Sequence, residues 1–235
     1  MALLVDASTP AIVTGTTPKA TASFTAPADS LLVALCASNS GGVTHTVTNS
    51  GTGLTWTSRS KHGSPDSGAF VAAVEVFTAP APTSAARTVT LTSSNGGDPL
   101  ALKVLVITGA DLASPVGQVG EGHSTTSNLT AAVYTSSVAG SRAVGIASDS
   151  LQSGSPTSSD TGFAWDTVSE MSGIAVHKAA DTATASTAVT LNFNGSGSRE
   201  WNWVAVEILP AVIPFQAAHP LTPGMSAPIF RGAYY

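Results

Sequence analysis

Apolar and polar residues alternate with a period of two in several stretches. "TVTLTSS" (Thr88–Ser94), "AVTLNFN" (Ala188–Asn194) and "WVAVEIL" (Trp203–Leu209) are the clearest. This period places successive side chains on opposite faces and predicts β-strands. "LLVALCAS" (Leu31–Ser38) is a short continuous apolar run, predicting a buried strand. Gly, Ser, Asn and Pro clusters separate these runs and supply turns. The pattern predicts about ten short strands in an antiparallel sandwich or jelly-roll-like fold.

The strands recur in order. "RTVTLTSSNGGDPLALKVLVITG" (87–109) aligns without a gap on "TAVTLNFNGSGSREWNWVAVEILP" (187–210) at an offset of 100 residues, placing Val104 and Val106 on Val204 and Val206. Upstream, "KATASFTAP" matches "NLTAAVYTS", "SLLVALCASNS" matches "SRAVGIASDS", "LTWTSRS" matches "FAWDTVS" and "SGAFVAAVEVFTA" matches "SGIAVHKAA". Residues 1–211 therefore read as a β-sandwich of two pseudo-repeats, about 19–109 and 128–210, joined by the turn-rich "TGADLASPVGQVGEGHSTTS" (108–127). The repeats are either tandem sandwiches or parts of one larger sandwich. Each holds few large apolar residues, which favours a shared core. Trp56 and Trp165 take matching places and mark core or edge.

Trp201 and Trp203 stand two residues apart in a chain with 6% aromatics. If Val204, Val206 and Ile208 face the core, then Trp201, Trp203 and Glu207 face outward, with Glu207 in water. Three readings follow. A bulge in "GSGSRE" turns the tryptophans inward; the chain's tail or a partner covers them; or they stack on a sugar, with Arg199 or Asn202 supplying hydrogen bonds.

Composition narrows the function. The net charge is −5 with no basic run, which argues against nucleic acid. No apolar run approaches the roughly 20 residues of a membrane span. "MALLVDAS" lacks the basic region of a signal peptide, so synthesis in a cytosol is expected. The single cysteine, Cys36, excludes an internal disulfide and reads as a buried thiol.

No motif carries chemistry. No serine lies in a G-x-S-x-G elbow, and His45, His62, His123, His177 and His219 are scattered without metal-ligand spacing. Glu121 and His123 in "EGH", and the carboxylates Asp66, Glu75, Asp160, Asp166 and Glu170, read as turn and edge residues. "NLT" at Asn128 and "NGS" at Asn194 match the glycosylation triplet but have no secretory context. No enzyme activity, cofactor or metal is expected.

Residues 212–235 differ in kind. Pro214, Pro220, Pro223 and Pro228 oppose helix and central strand, and Arg231 is the sole charge. Yet Ile213, Phe215, Leu221, Met225, Ile229, Phe230, Tyr234 and Tyr235 are apolar or aromatic, unlike an ordinary polar tail. The segment reads as an extended arm of 24 residues, reaching roughly 70–80 Å. It docks either on its own sandwich or on a neighbouring subunit.

"FTAPADSLLVALCAS", "SGTGLTWTSRS", "ITGADLASPVG" and "WNWVAVEILPA" together resemble a β-sandwich module of bacteriophage virion proteins of actinobacterial hosts. Similar modules occur in bacterial surface proteins. The resemblance covers roughly residues 5–211. It implies a non-enzymatic minor tail or capsid-decorating protein, made in the host cytoplasm and located in the virion. Its partners would be other virion proteins and further copies of itself, as a homo-oligomer. The alternative is a carbohydrate-binding module that meets a host-surface glycan through Trp201 and Trp203.

Overall fold

The computed structural model describes residues 2–63, 72–150, 154–167 and 171–212. Among them every regular element is a strand, and every pairing is antiparallel. The first half supplies β1 (Leu4–Val5), β2 (Val13–Thr16), β3 (Lys19–Ala20), β4 (Phe24–Ala26), β5 (Ser30–Ser38), β6 (His45–Asn49), β7 (Thr57–His62), β8 (Ala73–Ala81), β9 (Ala85–Arg87), β10 (Val89–Ser93) and β11 (Pro99–Thr108). The second supplies β12 (Val116–Ser124), β13 (Asn128–Thr135), β14 (Arg142–Asp149), β15 (Thr161–Asp166), β16 (Ser172–His177), β17 (Ala188–Asn194) and β18 (Trp201–Ile208).

The two large sheets share one topology. The first runs β11-β5-β8-β7, edged by β1 and β2 on β11; the second runs β18-β14-β16-β15, edged by β12 on β18. β12 lies inside the stretch that reads as a turn-rich join. Its glycines hide it, and packing requires at least one of them: a Cβ on Gly120 would sit 1.8 Å from the Val133 carbonyl oxygen where β13 crosses. Most of the strands beyond the expected ten are short edge pieces such as β1, β3, β4 and β9.

Each large sheet carries a small outer sheet. β3-β10-β6 and β4-β9 cover the first, and β13-β17 covers the second. The large sheets then face each other. Leu31, Val33, Leu35, Val74, Val76 and Leu105 meet Val144, Ile146, Val204, Val206 and Ile208 across a common core. Leu32, Ala34, Cys36, Leu100, Leu102 and Val104 point into the first half's own core, and Ala147, Val176, Leu191, Phe193 and Trp203 into the second's. The molecule is thus a four-layer stack. Each repeat is a sandwich of its own, and the two are joined by a third core that neither could bury alone. Each buried Leu contributes about 1.5–3 kcal/mol.

The ends of the repeats are tied together. Ala110 bridges Pro210, Asp111 N donates to Leu209 O (2.9 Å), and Ala211 N donates to Gly109 O (2.8 Å). The "TGAD" turn holds its shape because Asp111 Oδ1 accepts from Ala113 N and Ser114 N.

Two details of the sequence alignment change. Val104 faces the first half's own core, whereas Val204 faces the common core. The gapless repeat therefore slips by one residue between β17 and β18, and such a slip exchanges the faces of a strand. Trp56 and Trp165 are not equivalent either. Trp56 precedes β7 and packs towards the first half's own core, whereas Trp165 lies near the end of β15 in the common core. No helix among the described residues is long and apolar enough to cross a membrane.

Candidate functional site

The tryptophan pair is internal. Val204, Val206 and Ile208 face the common core as expected, but the opposite face of β18 is covered too, by β13 and β17. Trp201 is 0% and Trp203 9% exposed. The outward orientation is therefore corrected, and with it the sugar platform: neither ring offers a free face to a ligand. Trp201 Nε1 donates to Ser127 O (3.3 Å). The Trp203 indole lies over Gly122, its cross-strand partner on β12, where a Cβ would come within 2.8 Å of the ring. Trp165 covers Gly173 in the same way on β16.

The hydrogen-bonding residues are equally engaged. Arg199 is buried; it donates to Ser196 O (3.0 Å) and Gly154 O (2.9 Å), contacts Ser172 Oγ, and sits 5.4 Å from the Trp201 ring. Asn202 Nδ2 donates to Ala72 O across the common interface (2.9 Å). Glu207, expected in water, is fully buried and accepts from Gln118 N, Ser137 N and Ser137 Oγ at 2.7–2.9 Å. Burial opposes its charge, but the hydrogen bonds from Ser137, Gln118 and Ser141 together hold its carboxyl below the ordinary glutamate value. These residues lock the second sandwich rather than present a site.

One constellation escapes the sequence because its members lie far apart in the chain. Ser38 ends β5, His45 opens β6 and Glu75 lies on β8. His45 Nε2 is 2.9 Å from Ser38 Oγ, and His45 Nδ1 is 3.2 Å from Glu75 Oε2. The order matches a nucleophile, base and orienting carboxylate. Access does not match: the three residues are 0%, 5% and 5% exposed, and Glu75 Oε1 is taken by Ser58 Oγ at 2.6 Å. Among the described residues, Ser38 presents no exposed surface to a substrate carbonyl. The trio, with the adjoining bonds of Asp98 to Ser40, Ser93 and Asn95, satisfies polar groups at one end of the first sandwich. Cys36, next to Glu75, is fully buried, and desolvation pushes its thiol well above the ordinary range.

The remaining candidates are also held in the scaffold. Asp160 accepts from Lys178 Nζ (2.8 Å) and Asn192 N (2.9 Å), Asp166 accepts from Gly154 N (2.6 Å), and Glu121 accepts from Ser60 (3.1 Å). Asn128 and Asn194 pair across β13 and β17. Asp66, Glu170 and His219 lie outside the described residues. No group of three or more His, Cys, Asp or Glu that could hold a metal occurs among the described residues.

One set of accessible features lies beside residue 212. Val212 is 80% exposed. Beside it lies an apolar groove of about 210 Å³ formed by Val138, Ala139, Leu209 and Pro210, and a second hollow of about 400 Å³ lined by Asp29, Gly109 and Leu112. The arm residues Ile213, Phe215, Leu221, Met225, Ile229, Phe230, Tyr234 and Tyr235 lie outside the described residues.

Comparison with known proteins gives no match, whether to a family model, to a curated protein or to a solved structure.

Proposed function

We propose that the protein is a non-enzymatic structural component of a bacteriophage virion, of the minor tail or capsid-decorating kind. The double sandwich is its body, and residues 212–235 are an arm that docks on neighbouring subunits. The observation that carries this reading is a contrast. A body whose conspicuous aromatic and charged residues are buried and bonded is followed by a segment dense in apolar and aromatic residues, with four prolines after Val212. Such a segment gains stability by lying along another protein surface. The apolar groove at the exit point and the resemblance of the four strand motifs to virion modules support the same reading.

Truncation before residue 212 tests it. The shortened chain should keep the near-ultraviolet signal of the buried tryptophans and lose incorporation into particles. Normal incorporation would remove the arm from the proposal. Gold-labelled antibody then locates the full chain: label over a shell indicates capsid decoration, and label at one end indicates a tail component.

A further inference from the structure

The outer layers of the two halves are not equally complete. In the first half β10 is flanked on both sides: Thr90 pairs with Ala20 of β3 and with Thr48 of β6. In the second half the equivalent strand, β17, pairs with β13 alone among the described strands. One end of its other edge is capped. Asn194 exchanges two backbone hydrogen bonds with Thr157 (2.8 and 2.9 Å). Asn192 N donates to Asp160 Oδ2 (2.9 Å), and its carbonyl accepts from Ser158 Oγ (2.6 Å). Backbone groups alternate in direction along a strand, so those of Ala188 and Thr190 point the same way. No described strand pairs with them. A groove of about 260 Å³ runs along this stretch, lined by Lys178, Asp181, Thr182, Thr187, Val189 and Thr190.

The first half shows what fits such a place: a five-residue antiparallel strand, β6, with His45 and Val47 turned inward and Thr46 and Thr48 exposed. We propose that residues 229–235 of a neighbouring copy add to the Ala188–Thr190 edge of β17 as the strand the second half lacks. This rests on the arm reading above and names the arm's receptor.

The sequence of the arm selects its last seven residues. Pro214, Pro220, Pro223 and Pro228 lie upstream, whereas "IFRGAYY" has no proline, so every residue in it can donate to a ladder. Its apolar and aromatic residues suit a half-buried strand. Geometry selects the neighbouring copy. Val212 emerges beside Val138 and Ala139. Their turn is bonded to the rim of the β17 groove, with Gly140 N to Thr182 O at 2.8 Å and Ser136 N to Thr187 O at 2.9 Å. Exit and receptor therefore adjoin. Fully extended at about 3.1 Å per residue, a proline-rich spacer from residue 212 to 229 would reach roughly 50 Å, enough to meet a neighbouring copy.

Disulfide trapping in the full-length chain tests this. Chains carrying Thr190→Cys are mixed with chains carrying Ala233→Cys or Arg231→Cys and oxidised; native Cys36 is fully buried. The expected result is a disulfide-linked pair of chains with Thr190→Cys, and at least tenfold less with Thr48→Cys, which sits on the edge strand of the completed layer. Linkage only within a single chain, in the double variant, would overturn the assignment to a neighbour. If Thr190→Cys gives no linkage while truncation before residue 212 still abolishes particle incorporation, the receptor is wrong and the arm reading stands. If the truncated chain is incorporated normally, both fall.

Discussion

The two halves share a strand order but fill it differently. The first half builds its large sheet from β5, β8 and β11, which contain no glycine, and packs it with leucines: Leu31, Leu32, Leu35, Leu100, Leu102 and Leu105 are all fully buried. The second half places Gly145 and Gly173 inside the corresponding sheet and Gly120 and Gly122 on its edge strand. It then covers Gly173 with Trp165 and Gly122 with Trp203. One topology thus tolerates two packing solutions, medium side chains on both strands or a large ring over an empty position. The halves differ again outside. The first closes its outer layer with β6, whereas among the described residues no strand pairs with the Ala188–Thr190 edge of β17. An internal repeat constrains the order of strands far more than the volumes that fill the space between them.

Substitutions can break this comparison. The largest effect is expected at the rings: Trp203→Ala should cost about 3–5 kcal/mol, read as a shift of the denaturant midpoint, because the ring's removal opens a cavity over Gly122. A cost below about 1 kcal/mol would mean that the ring is not what fills this position.

Proline separates the outer layers. Thr90→Pro removes a ladder donor facing β6 and should cost about 1–3 kcal/mol. Thr190→Pro, in a chain truncated before residue 212 so that no arm can fill the edge, should cost under about 1 kcal/mol. Equal losses would show that the β17 edge is already paired.

A double-mutant cycle sharpens the ring-on-glycine argument. Gly122→Ala should destabilise the native chain, because the new Cβ meets the Trp203 ring at 2.8 Å. In a Trp203→Leu background the same change should stabilise. The coupling should be about 1 kcal/mol or more, and additivity would refute the proposed complementarity.

A pH slope tests a first-half intruder in the common core. Lys103 is 2% exposed, donates to Pro10 O (2.6 Å) and lies 3.8 Å from the Phe163 ring centroid. Desolvation lowers its ammonium from 10.5 to about 8. Between these values the unfolded chain binds more protons than the folded one, so this group adds stability as the pH rises through the window. The melting temperature of the native chain, relative to Lys103→Met, should rise from pH 8 towards 10. A flat difference would show that the carbonyl and the ring fully offset the burial.

Several elements are legible in the chain's own pattern. The alternation in "TVTL" and "AVTLNFN" marks β10 and β17, the run around Cys36 marks a buried strand, and the recurrent order marks two halves. The orientation of Trp201 and Trp203 is not legible in the alternation of β18 alone, although a signal exists elsewhere. "LLVALCAS" and "LALKVLVI" are apolar without alternation, as strands covered on both faces are. Taken seriously, they call for layers on both sides of each large sheet, and then no face of β18 is free. β12 escapes notice because glycine opposes strand propensity, and only the crossing of β13 explains its presence. The Ser38, His45 and Glu75 trio is invisible because three strands distant in sequence bring it together.

By itself the sequence determined the conformation of the strongly alternating and apolar stretches, the all-β class and the repeated strand order, because side-chain period and turn chemistry act between neighbours in the chain. Tertiary structure alone decided which faces are buried, the one-residue slip before β18, and the layering of one sandwich on the other. Each of these depends on what packs from a distant part of the chain, and no period within a strand encodes that.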